Sequence, residues 1–267
     1  MWSAGKRVRN GARHSVVGGA LIFGACVTLA LPTASASHAH HLLFSKVTLP
    51  STQSDSTALS GLKGVPLAVG EEWLTGAIAV RTSAMQHTAT LVTGMKDLSR
   101  AYRTELLAAQ ASAIAELSAL SVRSASDTRA PQVIAQATTL LSWQILGVEV
   151  PQLRATAFTD SLFARVGALS RRESAAAAAI AITVVHSSPA HLASEEALDN
   201  AVRSVITTAT NSLTSSLHAL SGLSPANADT AASVVAQTRV ANIIVNTDLQ
   251  TGITDLRTLV STLASGN

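Results

Sequence analysis

The chain has 267 residues, of which 47% are hydrophobic, 13% charged and only 3% aromatic, and its formal net charge is +3. Since a typical domain has about 25% charged residues, this composition excludes a disordered polyelectrolyte. The 15 Gly and 7 Pro residues are too few for a collagen, and a single Cys excludes a disulfide scaffold. The composition therefore indicates a globular protein of one or two domains.

The first 36 residues have the order of a secretory signal. A basic stretch within residues 6–13 is followed by the apolar run 15–31 and then by small residues, and no acidic residue precedes Asp55. This succession of basic, apolar and small residues is typical of a signal peptide. The Ala-Ser-Ala triplet that ends at Ala36 fits a cleavage site. We therefore predict that residues 1–36 are removed during export.

Other interpretations of this leader stay open. Cleavage after Ala39 is the second choice, and an uncleaved run 15–31 would anchor the chain in a membrane, although a spanning helix needs about 20 apolar residues. A mitochondrial transit peptide would be amphipathic, which this run is not. A lipoprotein signal would place its cysteine at the end of the run, whereas Cys26 lies inside it. We expect a secreted or cell-envelope protein, with membrane anchoring as the alternative.

The basic character of the chain resides in the leader. Four of the 19 basic residues and none of the 16 acidic residues precede residue 37. The predicted mature chain is therefore close to neutral. A nucleic-acid site would need more basic residues with interleaved aromatics, so we predict no nucleic-acid partner, and a membrane contact only through an uncleaved leader.

Helical periodicity dominates the rest of the chain. Residues 37–70 are rich in Gly, Pro, Ser and Thr and are predicted to form a flexible, loop-rich arm. From Glu71 onwards, apolar residues recur at spacings of three and four, with little alternation of period two. We predict an all-α fold, in which residues 71–267 form an up-and-down antiparallel bundle of four to six long helices.

Proline and glycine residues set the predicted helix boundaries. Four prolines stand where a helix begins with proline in its first turn. Gly76 and Gly94 are candidate breaks within the first helical segment. The predicted segments are 71–122, 132–148, 152–186, 189–221 and 225–264. The acidic pairs Glu71-Glu72 and Glu195-Glu196 are adjacent and so point about 100° apart on a helix. They suit the positive end of a helix dipole better than an acid/base pair.

Three histidines of the arm, His38, His40 and His41, are the candidate metal ligands. An N-terminal amine with a nearby imidazole suits Cu(II) or Ni(II), which would require the mature chain to begin at His38 or His40. Cleavage after Ala36 gives neither arrangement in full. The other histidines lack a metal-binding spacing, and we predict no cofactor.

No catalytic motif is present. The sequence contains no Gly-x-Ser-x-Gly, phosphate-binding loop or dinucleotide fingerprint. Ser60 and Lys63 have the Ser-x-x-Lys spacing of penicillin-binding enzymes, but the partner motifs are missing. We predict a non-enzymatic protein that acts by surface or partner interaction, through a cell-surface partner or as a homo-oligomer. In composition alone the chain resembles fungal hydrophobic-surface-binding cell-wall proteins.

A carrier of an apolar, lipid-like ligand is the alternative function. The last aromatic residue of the chain is Phe163, so the helices beyond it must pack with small and aliphatic side chains. Loosely packed helices of this kind leave room for a ligand. The large apolar residues predicted to line such a cavity are Trp143, Phe158, Leu162 and Phe163.

Overall fold

The computed structural model describes residues 57, 59–183 and 189–265, and all regular structure in them is helical. A π-helical turn at Ile145–Glu149 joins the third helix to the fourth, and a 3-10 turn at Pro225–Asn227 precedes the sixth. The prediction of an all-α protein is confirmed. The six helices are α1 (Leu67–Gly94), α2 (Arg100–Ser124), α3 (Ala130–Ser142), α4 (Val150–Thr183), α5 (Pro189–Ser221) and α6 (Ala228–Ser265).

The predicted arm and the first predicted helix differ from the structure at their boundaries. Residues 59–62 are already helical, and α1 begins at Leu67 rather than at Glu71. The predicted signal segment lies outside the described residues. Of the two candidate breaks, Gly76 lies within α1, whereas Gly94 ends it. The next helix begins after Ser99, whose side-chain oxygen accepts a hydrogen bond from a first-turn amide and so caps α2.

A sharp bend separates α3 from α4. Gln144 adopts the left-handed conformation, with φ 51°, and its carbonyl accepts a hydrogen bond of 2.7 Å from the Val148 amide. Pro151 has no amide proton to donate to the carbonyl of Gly147, while Val150 before it remains helical, with φ -62° and ψ -49°. The departure from α-helical winding between α3 and α4 lies before the proline, at Ile145–Glu149. The predicted segment 132–148 therefore ends earlier, since α3 stops at Ser142.

The six helices pack around two hydrophobic cores. The first lies between α1, α2 and α3, and the second between α4, α5 and α6. Buried residues of the first core include Leu74, Ile78, Met85, Leu117, Leu120, Val133, Leu140, Ile145 and Val150. Buried residues of the second include Phe158, Leu162, Val166, Leu169, Val202, Leu213, Val245, Leu249 and Leu259.

Hydrogen bonds between helices fix the direction of the last three. Gln152, at the start of α4, donates from Nε2 to the carbonyl of Leu220, at the end of α5, over 2.7 Å. These two helices are therefore antiparallel. Asn242 donates to Thr159 Oγ1 over 2.9 Å, which brings the first halves of α4 and α6 together. α4 and α6 are therefore parallel, and the last three helices run up, down and up.

The first part of α4 is enclosed by the other helices. No residue from 143 to 170 is exposed, although this stretch carries charged side chains. Arg154 donates from Nε to Thr88 Oγ1 of α1 over 2.9 Å, and Asp160 accepts from the Ser99 amide over 3.3 Å. Burial raises the pKa of Asp160 and lowers the pKa of Arg154. The neighbouring helices are therefore tied to α4 by polar contacts as well as by apolar packing.

Within the described residues, two helical stretches are long and apolar enough to cross a membrane, namely Arg100–Ser124 and Ala130–Ile182. Length and composition are the only basis for this finding. The core helix of a soluble protein meets the same criterion, and the second stretch contains the enclosed part of α4. This property therefore does not decide where the protein resides.

Truncation of Leu162 tests the second core. Its side chain is fully buried among the side chains of α4, α5 and α6. We expect Leu162→Ala to lower the free energy of unfolding by about 2–5 kcal/mol, because it removes buried methyl groups and leaves a cavity. Urea denaturation followed by circular dichroism measures the loss. Ile182→Ala is the matched control, since Ile182 is exposed, and equal losses in the two variants would contradict this packing.

Candidate functional site

Four polar residues stand at four-residue intervals along one face of α5. We call His191, Glu195, Asp199 and Arg203 the α5 ladder. Glu195 is 1% exposed and Asp199 is 8% exposed, so both carboxylates face the interior. His191 Nε2 lies 3.6 Å from Glu195 Oε1, and Arg203 Nε lies 2.9 Å from Asp199 Oδ2. The ladder continues the face that carries the buried apolar residues of α5 towards its N-terminus.

Arg203 also links α5 to α4. Its Nε lies 2.7 Å from Oε1 of Glu173, a buried residue of α4. One guanidinium nitrogen therefore neutralises a carboxylate on each helix. Burial raises the pKa of Asp199; the charge of Arg203 opposes this increase, and the charge of Glu173 adds to it. The carboxylates outnumber the guanidinium here, so this end of the bundle depends on Arg203.

A groove opens beside this ion pair. It has a volume of about 460 Å³ and is lined by Glu173, Arg203 and the hydroxyl-bearing residues Ser170, Ser174 and Thr207. Such a lining offers hydrogen bonds to water or to a polar ligand. No group of three His, Cys, Asp or Glu residues in the described part of the chain is arranged to hold a metal ion.

The predicted apolar-ligand residues belong to two different cores. Trp143 packs against the first core, whereas Phe158 and Leu162 are buried in the second and Phe163 packs against it. None of the four lines the groove, nor a narrow cleft of about 10 Å³ between α1 and α3. A cleft of that volume holds about one water molecule. The predicted metal ligands His38, His40 and His41 lie outside the described residues.

An apolar strip lies on the outer face of α6. Val240, Ile243 and Ile244 are 57%, 52% and 54% exposed. Thr247 and Thr251 extend the same face, and their hydroxyls donate to carbonyls of their own helix. We call these five residues the α6 strip. Every exposed residue of α6 between positions 240 and 254 is uncharged.

Two of these features differ from the sequence interpretation. Glu195 lies in the second turn of α5 and is buried, whereas its neighbour Glu196 is exposed. It therefore serves in the ladder rather than as a first-turn charge. The excess of apolar residues on α6 could be seen in the sequence, since Val240, Ile243, Ile244 and Val245 lie within six consecutive positions. Four apolar residues so close together cannot all lie on the narrow buried face of one helix.

No protein-family model, curated protein or solved structure matches this chain. The described part of the chain presents two candidate surfaces: a polar one over the ion pair of α4 and α5, and an apolar one on α6.

Replacement of Arg203 tests the ion pair. We expect Arg203→Gln to lower the free energy of unfolding at pH 7 by about 1–3 kcal/mol, because it leaves buried carboxylates without their cation. The loss should shrink on acidification, because burial raises the pKa of Asp199 and protonation of that carboxyl removes its repulsion with Glu173. Arg257→Gln is the matched control, because Arg257 is exposed on α6. Urea titrations at pH 4.5 and pH 7 that give equal losses for both variants would contradict the role of Arg203.

Proposed function

We propose that the chain is an exported, non-enzymatic helical protein, rich in Ala, Ser and Thr, that acts by contact with other surfaces and associates with copies of itself. The observation that carries this proposal is the α6 strip. Its exposed residues are all uncharged, and the one charged residue beside them, Asp248, is partly buried. Exposed apolar faces of this kind favour contact with a partner over contact with water.

The expected strength of the contact follows from the exposed area. Full burial of a Val or Ile side chain contributes about 1.5–3 kcal/mol, and the three apolar residues of the strip are about half exposed. Their burial would therefore contribute roughly 2–5 kcal/mol. This gain offsets only part of the cost of association. A stable contact must also include neighbouring surface.

The outer face of α5 supplies surface that does not resist association. Its exposed residues from Ser204 to Ser215 are all uncharged Ser, Thr or Asn. A surface with few charges provides little electrostatic repulsion between copies. The low charge content of the whole chain, 13%, has the same effect. Self-association through α6 with support from α5 is therefore the form of contact that we propose.

Export is supported by the sequence of the leader. A basic stretch, the apolar run 15–31 and small residues succeed one another before Ala36. The only cysteine, Cys26, would leave with the signal. We propose that residues 1–36 are cleaved and that the mature protein acts in the cell envelope or outside the cell.

We favour association over the carrier function because of where the large apolar residues pack. A carrier would need Phe158 and Leu162 to border an internal cavity. Both are buried among core side chains, with Trp143 in the other core. A lipid-like ligand would have to displace this packing.

Charged substitutions on the α6 strip test the proposal. We expect the double variant Ile243→Glu, Ile244→Glu to lower the association constant at least tenfold, because the contact would have to bury carboxylates. Sedimentation velocity over a concentration series measures it, and native mass spectrometry of the same samples detects any lipid that co-purifies. Ile182→Glu is the control, since Ile182 is 76% exposed on α4, away from the strip. A wild-type chain that stays monomeric, or a double variant that associates like the control, would refute self-association.

A further inference from the structure

The bend between α3 and α4 is the most strained point of the described backbone. Among the described non-glycine residues, Gln144 alone has a positive φ. Residues with a side chain adopt this conformation at a cost, and it persists here because packing holds both flanks. The π-turn Ile145–Glu149 follows at once. π-Helical turns within helices occur often at sites that move or function.

The π-turn is also the joint between the two halves of the fold. Ile145 packs into the core of α1, α2 and α3. Three residues further along, Val148 packs into a small cluster with Leu220 and Leu223, at the end of α5. Because these side chains leave the turn in different directions, a change in its winding would move one core relative to the other.

An ionisable group without a counter-charge lies in this joint. Glu149 is half-buried, and its carboxylate has no hydrogen-bond or ion-pair partner among the described residues. Burial raises the pKa of Glu149 to about 7, and the charge of Glu116 on α2 adds to the increase.

The other elements packed against the turn bring no compensating charge to Glu149. Charged residues on these elements include Arg81 of α1, Arg154 of α4, and Asp229 and Arg239 of α6. None of them contributes to the shift in its pKa, to which only burial and Glu116 contribute. Ionisation of Glu149 therefore places a second negative charge near Glu116.

We propose that the bend at Gln144–Val150 is a hinge, and that ionisation of Glu149 opposite Glu116 releases the pair of helices α1 and α2 from α4. The structure described above is the closed form. In it Glu149 is neutral, and the apolar contacts of Ile145 hold α1 and α2 in place. In the open form the carboxylate of Glu149 becomes more fully hydrated than it is at its half-buried position in the closed form. This hinge does not depend on the proposed self-association, because it involves the π-turn and Glu116 and none of the residues of the α6 strip.

The direction of the pH dependence follows from proton binding. The closed form raises the pKa of Glu149 above its ordinary value of 4.5. Closure is therefore most favourable below pH 4.5, weakens as the pH rises from there to about 7, and gains nothing from this group above pH 7. Across this window the closing equilibrium constant should fall by roughly 10–300-fold, the lower figure allowing for partial exposure of the carboxyl.

Distance measurements between spin labels test the hinge in the full chain. Ser118→Cys on α2 and Ser215→Cys on α5 place labels on exposed positions of the two halves, with Cys26→Ser to remove the native thiol. At pH 5 we expect one narrow distance distribution. At pH 8 we expect a second, longer distance at a substantial fraction. Circular dichroism at both pH values verifies that the helices remain intact.

Two variants and a control make the result specific. Glu149→Gln should keep the single short distance at pH 8, because its side chain cannot ionise. Glu116→Gln should reduce the long-distance fraction at pH 8, because it removes the repelling charge. Glu105→Gln changes an exposed carboxyl on the same helix and should behave as the parent. A parent chain with the same distances at both pH values, or a Glu149→Gln chain that responds to pH like the parent, would overturn the proposal.

Discussion

The fold depends on the enclosure of α4. From residue 143 to residue 170 no side chain is exposed, and this stretch contacts helices from both halves of the chain. Three of its four charged side chains, Arg154, Asp160 and Arg165, have polar partners outside α4, and Glu149 is the exception. Arg165 shows this dependence: burial lowers its pKa, the charge of Asp97 opposes that decrease, and Asn246 of α6 accepts a hydrogen bond from its guanidinium. Placement of α1, α2 and α6 is therefore coupled through one helix.

Polar groups at both ends of α4 determine how closely the neighbouring helices pack against it. At the far end, Arg203 neutralises carboxylates of two helices at once. At the bend, Glu149 has no such cation among the described residues. The buried carboxylates of Glu173 and Asp199 therefore share one guanidinium, although Asp199 Oδ1 has no hydrogen-bond partner in the described part of the chain, whereas the Glu149 side chain is only partly buried. Because the bundle has few charged residues, these positions carry much of the electrostatic contribution to its helix packing.

The sequence predicts much of this fold from local signals. Pro189 marks the start of α5, Pro225 marks the start of the turn before α6, and Gly94 marks the end of α1, because proline and glycine act directly on the backbone. The bend at Gln144 carries no such signal, since glutamine has no preference for the left-handed conformation. Burial of Glu195 rather than Glu196 depends on the rotation of α5 against α4, which only tertiary packing sets. The α6 strip could have been predicted from the sequence, because α6 has more apolar residues there than one buried helix face accommodates.

The two hydrophobic cores differ in their aromatic side chains and therefore in their spectroscopic signals. Trp73 and Trp143 both pack against the core of α1, α2 and α3, and no aromatic residue follows Phe163. Indole emission from the described residues therefore reports on one core only, while far-ultraviolet ellipticity sums the helices of both. Loss of the second core alone would be visible in the ellipticity and nearly silent in the emission. The chain thus carries a built-in means of telling whether its two halves unfold together.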